Sequence, residues 1–130
     1  MSSIFSKIIA GEIPSHKVGE NEYCYSFLDI NPIAKGHTLV VPKKEVDYIF
    51  DLDDPAFSEL FLFSKKIAKA IEKEVDCLRI GVAVIGLEVP HAHIHLVPLK
   101  GMHDIDFSKE KLQFTQEELS KIAKSIATHL

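Results

Sequence analysis

The sequence predicts an α+β fold, a mainly antiparallel sheet of about five strands with helices packed on it. Three observations predict it. Short apolar runs at residues 23–28, 36–42, 78–85 and 90–98 are bounded by Gly, Pro, Asn and Asp. A long segment, 54–75, carries apolar residues at helical spacing. A capping box closes the chain and opens a last amphipathic helix.

Taken in order, residues 4–9 form one or two helical turns, ended by Gly11 and Pro14. Residues 17–22 read as a strand turning through Gly19-Glu20-Asn21, and the aromatic-rich run 23–28 as the next strand. Asp29-Ile30-Asn31-Pro32 breaks it, and a nearly all-apolar third strand, 36–42, closes at Pro42. Asp53-Asp54-Pro55 starts a helix, with an acidic cap and a proline whose missing N–H costs nothing there. Phe57, Leu60, Phe61, Ile67, Ala68 and Ile71 make its stripe. Leu62 and Phe63 fall off that stripe and are candidates for a partner surface. Residues 78–85 form a strongly apolar strand, joined by the short link Gly86-Leu87-Glu88 to an antiparallel neighbour at 90–98. A polar stretch follows through Gln113. Thr115-Gln116-Glu117-Glu118 then caps a helix carrying Leu119, Ile122, Ala123 and Ile126.

Composition bounds the rest. At 130 residues, with 46% hydrophobic and 26% charged content, the chain reads as one domain spanning residues 1–130. A net charge of −4 argues against a general nucleic-acid binder, which would show a basic face. No apolar run reaches membrane-spanning length, and the first residues lack the pattern of a signal peptide. Cys24 and Cys77 form no close-spaced motif. The expectation is a cytoplasmic protein.

The chemistry concentrates in Pro90-His91-Ala92-His93-Ile94-His95-Leu96-Val97-Pro98. Alternation at period two puts the three imidazoles on one face of a strand and Ala92, Ile94 and Leu96 on the other. With 7 His in the chain, such a triplet arises by chance about 2% of the time, so it calls for a chemical reason. Imidazole can serve as donor, acceptor, base or nucleophile near neutral pH. Neighbouring rings on a strand sit roughly 7 Å apart and the outer two about 13 Å apart. That row suits a phosphate and its flanks better than one metal ion, whose bonds to nitrogen are only about 2.0–2.1 Å. A metal site using the His-x-His pair, and a surface strand without a role, remain the other readings.

These residues resemble the histidine-triad (HIT) superfamily of nucleotide-binding hydrolases and transferases. Besides His91 to Val97, the resemblance is carried by Ile4-Phe5-Ser6-Lys7-Ile8-Ile9-Ala10-Gly11-Glu12-Ile13-Pro14, by Phe27-Leu28-Asp29-Ile30-Asn31-Pro32, and by Gly36-His37-Thr38-Leu39-Val40-Val41-Pro42-Lys43-Lys44. It implies that His93 is a nucleophile attacking an α-phosphorus and carrying a covalent nucleotidyl intermediate. His91 and His95 flank the phosphate and orient His93, and His37 joins them from the neighbouring strand. Asp29 accepts the ribose hydroxyls, while Ile13, Phe27 and Ile30 sandwich the base. The implied substrate is a purine nucleotide, namely a phosphoramidate, an aminoacyl adenylate or a dinucleoside polyphosphate. The implied assembly is a symmetric homodimer, and no cofactor is implied.

The chain departs from the family pattern in two places. Many relatives place Cys-x-x-Cys near the N-terminus and a histidine after the Pro-Lys-Lys run, which bind structural zinc together with the first triad histidine. Here those positions are Ser3, Ser6 and Glu45, and hydroxyls are poor zinc ligands, so no metal is expected. Relatives also tend to carry an Asn-Gly-rich loop and a Gln or Ser before the triad. This chain has the shorter Val84-Ile85-Gly86-Leu87-Glu88-Val89, and Leu87 cannot hydrogen-bond a leaving group. A nucleotide-binding module without turnover is therefore the alternative to an enzyme.

Overall fold

The runs 24–28 and 38–42 hold too few polar side chains for strands with one wet face. The computed structural model, which describes residues 2–130, shows both runs buried on both faces. Five strands, β1 (Lys17–Glu20), β2 (Cys24–Leu28), β3 (Thr38–Pro42), β4 (Arg79–Ala83) and β5 (Ile94–Leu99), pair antiparallel in the order β1-β2-β3-β5-β4. Three helices cover the sheet: α1 (Ile4–Ile9), α2 (Asp54–Glu74) and α3 (Gln116–Ala127). Among the described residues, no helix is long and apolar enough to cross a membrane.

The register sorts the side chains onto two faces. Phe27 pairs with Leu39, and Leu39 with His95, so these three share a face with His37, Tyr25 and Val41. Phe5 and Ile8 of α1 close part of that face. The opposite face carries Leu28, Val40, Ile94 and Leu96, and packs on Leu60, Ile67 and Ile71 of α2 and on Leu119, Ala123 and Ile126 of α3. One face is therefore a solid core and the other holds the histidines.

Local signals set the helix ends as the sequence predicts. Asp53 caps α2 by accepting from the Ala56 N–H at 2.9 Å. Thr115 and Glu118 form the reciprocal capping box of α3. Ser3 caps α1, accepting from the Ser6 N–H at 3.0 Å. Gly36 turns the chain into β3 at φ +89°, where a Cβ would also approach Val75 Cγ2 to 2.9 Å.

Three expectations are corrected. The histidine strand begins at Ile94 rather than residue 90, because the His91 N–H closes on Val89 O at 2.8 Å around Pro90. Proline's fixed φ suits that three-residue turn, and only His95 of the triplet lies within the strand. Secondly, the strand expected over 78–85 spans only Arg79–Ala83 and is an edge strand that exposes Leu78, Val82 and Ile85. Finally, the α2 stripe runs through Phe63, which is buried, while Phe61 and Leu62 are exposed. Of the two off-stripe residues, only Leu62 is free to meet a partner.

Candidate functional site

His37, His93 and His95 line one cavity of about 500 Å³, together with Asp29, Phe27, Ile13 and Ile30. The hairpin between β2 and β3 brings Asp29 beside His37, since the Asp29 N–H donates to His37 O at 3.0 Å. Phe27 is buried, Ile13 is half-buried and Ile30 stands exposed at the rim. The ring of His91 lies outside the cavity lining, on the far side of the bend at residues 91–93.

Hydrogen bonds fix the tautomer of each ring. His93 Nδ1 sits 2.7 Å from His91 O, and a carbonyl only accepts, so the proton is on Nδ1. The lone pair of His93 Nε2 is thereby left free. His37 Nδ1 accepts from the Ile33 N–H at 3.2 Å, so its proton is on Nε2, which donates to His95 Nδ1 at 3.0 Å. His95 must then carry its proton on Nε2, which has no protein partner among the described residues and is not sealed from solvent. The cavity thus presents a lone pair from His93 and an N–H from His95, on rings whose centroids are 5.0 Å apart.

Burial keeps this pair neutral. It pushes His37 down to about 3, helped by the charges of His95 and Lys111, and it pushes His95 down to about 4, helped by His93. His37 Nε2 also lies 3.7 Å from Asp29 Oδ2, but a neutral imidazole makes no ion pair there. Burial raises the Asp29 carboxyl, against the Asn31 N–H and the charges of His93 and Lys111. Asp29 Oδ1 accepts from the Asn31 N–H at 2.8 Å.

Two groups invite a metal, and neither fits one. Asp29, His37 and His95 bring potential ligand atoms within 4.8 Å of one another. The Ile33 N–H already occupies His37 Nδ1, so ligation through Nε2 would require an imidazolate. Around His91, Ser3 Oγ is 2.7 Å from Nδ1, while Nε2 donates to Pro42 O at 2.7 Å. Glu45 Oε1 accepts from the Ser3 N–H and the Ser6 hydroxyl, both at 2.6 Å. Those bonds hold the Glu45 carboxyl below its ordinary range. Hydroxyls, one carboxylate oxygen already taken by two donors and a single imidazole are a poor zinc set. Elemental analysis of purified protein is expected to give substoichiometric zinc, and one tightly held ion per chain would contradict this.

The cavity has residues that the sequence reading missed. Phe107 packs edge-on against His95 and His37, with centroids 4.7 and 6.0 Å away, and Lys111 lines the wall beside it. The available signal was a lone phenylalanine inside a polar run. Phe5 also meets the His93 ring edge-on at 5.0 Å.

Comparison with known proteins follows the same lines. The HIT domain model matches residues 10–102. Protein hit of Bacillus subtilis is 36% identical over 98% of this chain and 93% of its own length. Adenosine 5′-monophosphoramidase hnt1 of Schizosaccharomyces pombe is 33% identical over 95% of this chain and all of its own, 100%. The crystal structure of a Hit-like protein involved in cell-cycle regulation from Bartonella henselae superposes with a TM-score of 0.85. It is 33% identical and covers 99% of this chain and 96% of that one. With the model match spanning more than half its length, the chain belongs to the HIT domain family.

Proposed function

We propose that the protein is a nucleotide hydrolase or nucleotidyl transferase that attacks the α-phosphorus of a purine nucleotide through His93. The observation carrying this reading is the 2.7 Å bond from His93 Nδ1–H to His91 O, which leaves Nε2 as a free nucleophile at the cavity. Attack forms an N–P bond, and the bond from phosphorus to the leaving group breaks with its electron pair going to that group. The ring becomes cationic, which strengthens its bond to the His91 carbonyl as the transition state develops. The His95 N–H donates to a phosphoryl oxygen. Water then attacks phosphorus, the N–P electrons return to His93, and the two protons of water end on the leaving group and the phosphate.

In this reading Asp29 accepts the ribose hydroxyls and Phe27, Ile13 and Ile30 surround the base, a division supported by all four residues lining the one cavity. A phosphoramidate is the leading substrate, in line with the activity for which the Schizosaccharomyces pombe relative is named. Aminoacyl adenylates and dinucleoside polyphosphates share the same α-phosphorus chemistry. The same reading makes the protein a homodimer, supported by the exposed apolar residues of the edge strand β4 and by Leu62 on α2. Leu87 favours a second reading, a nucleotide-binding module without turnover. It stands 88% exposed at the cavity rim and offers a leaving group no hydrogen bond.

Asp29 is expected to control affinity rather than the chemical step. Charge-assisted bonds to ribose hydroxyls are worth about 1.5–3 kcal/mol. Asp29→Ala should then weaken binding of AMP or GMP by roughly 10–150-fold in calorimetric titration. A folded variant that binds like wild type removes the ribose assignment, and wild-type protein that binds neither nucleotide removes the reading altogether.

A further inference from the structure

Lys111 sits in the loop between the 3₁₀ turn Met102–Ile105 and α3, half-buried, with its side chain in the cavity wall. Its ammonium donates to Phe107 O at 2.5 Å and Lys109 O at 3.2 Å, two neutral carbonyls of its own loop. An ammonium has three protons, so one N–H remains. Among the described residues, no carboxylate lies within ion-pair distance of it, and of the chain's unpaired lysines it is the one that lines the cavity. The loop is fixed in place on both sides of this residue. Phe107 packs on the His95 and His37 rings, and the Leu112 N–H donates to Pro32 O at 2.8 Å, in the loop that carries Asp29.

The electrostatics of the cavity are then lopsided. Its lining holds the carboxylates of Asp29 and Glu88, with His37 and His95 kept neutral by burial, and Lys111 is the one lysine or arginine among its described residues. Lys111 lines the cavity with Asp29, His37 and His95, and Phe107, whose carbonyl it holds, packs on both of those rings. A partly desolvated cation without a counter-ion is costly unless a ligand completes it. Carbonyl-held lysines meet phosphate as point charges.

We propose that Lys111 is an anion-recognition residue that binds a phosphate oxygen of the substrate. This rests on the nucleotide reading above and narrows it to ligands that place a phosphate at the corner of the cavity lined by Phe107 and Lys111. Three phosphates could occupy that corner, and ligands separate them. AMP offers only the α-phosphate, ADP adds one beyond it, and adenosine 3′,5′-bisphosphate adds one on the ribose side.

The test is calorimetric titration of wild type, Lys111→Met and Lys111→Arg with adenosine, AMP, ADP and adenosine 3′,5′-bisphosphate. Lys111→Met is expected to weaken at least one phosphorylated ligand by about 10–150-fold, the range of one charge-assisted bond. Adenosine should stay within about twofold of wild type, and Lys111→Arg should restore most of the loss because it keeps the charge. The ligand that loses most identifies which phosphate is held. If Lys111→Met binds all three phosphorylated ligands like wild type, or loses adenosine equally, Lys111 is structural and the proposal is overturned while the nucleotide reading stands. Wild-type protein that binds none of the four overturns both.

Discussion

His93→Ala is expected to lower turnover by at least about 10³-fold while leaving nucleotide bound, because in the proposed mechanism it removes the attacking atom and little of the pocket. The other histidines grade below it for geometric reasons. His95 contributes an N–H to the cavity, so under this proposal His95→Ala should cost transition-state charge stabilisation but leave the nucleophile. His37 acts one step further back, setting the tautomer of His95, so His37→Ala costs less again. A phosphoramidate of AMP is a suitable substrate. Protein quenched without acid during turnover should carry a nucleotidyl mass on the peptide holding residues 91–95, since N–P bonds to imidazole are acid-labile. Substantial turnover by His93→Ala, or a label on another residue, defeats the assignment. No turnover of any such substrate by wild-type protein would leave the binding-module reading, with Leu87 as the residue to change first.

Acid should destabilise the fold steeply through the same buried pair. His37 and His95 have folded pKa values of about 3 and about 4, against an ordinary 6.5. Above about pH 6.5 both rings are neutral in either state, and their full contribution to stability is present. As the pH falls below that, the unfolded chain binds a proton on each ring and the folded chain does not. The loss grows with each pH unit and continues until the folded rings themselves titrate. Urea unfolding at pH 7, 6 and 5 measures it directly. His37→Asn, which keeps an acceptor for the Ile33 N–H, should make the slope shallower. A stability that stays flat from pH 7 to pH 5 would contradict the buried neutral pair.

What the sequence disclosed was mostly local. The caps at Asp53 and Thr115 involve partners three residues away, and both helices begin where those residues indicate. The alternation of Ala92, Ile94 and Leu96 did mark the core face of the histidine segment, because packing demands that period with or without strand pairing. Where that segment joins the sheet depends on the turn around Pro90, which polarity does not reveal. β4 reads as a strongly apolar strand, yet strand order leaves it at the edge. On α2, apolar residues at 60, 61, 62 and 63 permit more than one stripe, and only the packing partners select Leu60 and Phe63. Of the motif residues, Asp29, His37, His93 and His95 line the candidate cavity, and His91 does not. Phe107 and Lys111 lie in a polar run with no period and enter the cavity only through the course of a loop. Ser3 and Glu45 meet across 42 residues of sequence, a separation at which composition carries no pairing information.

That last contact bears on how the protein is made. A wall of the cavity is formed by Ile4, Phe5 and Ile8, and the segment carrying them is fastened by Ser3, Ser6, Glu45 and His91. Every part of this fastening is a side chain or backbone group of the chain itself. A wall fastened by thiolates and zinc would pass through an unloaded form, open to oxidation and dependent on metal supply, before it could bind substrate. Here the contacts that close the wall are hydrogen bonds among hydroxyl, carboxylate and imidazole groups, so none of them depends on a thiolate.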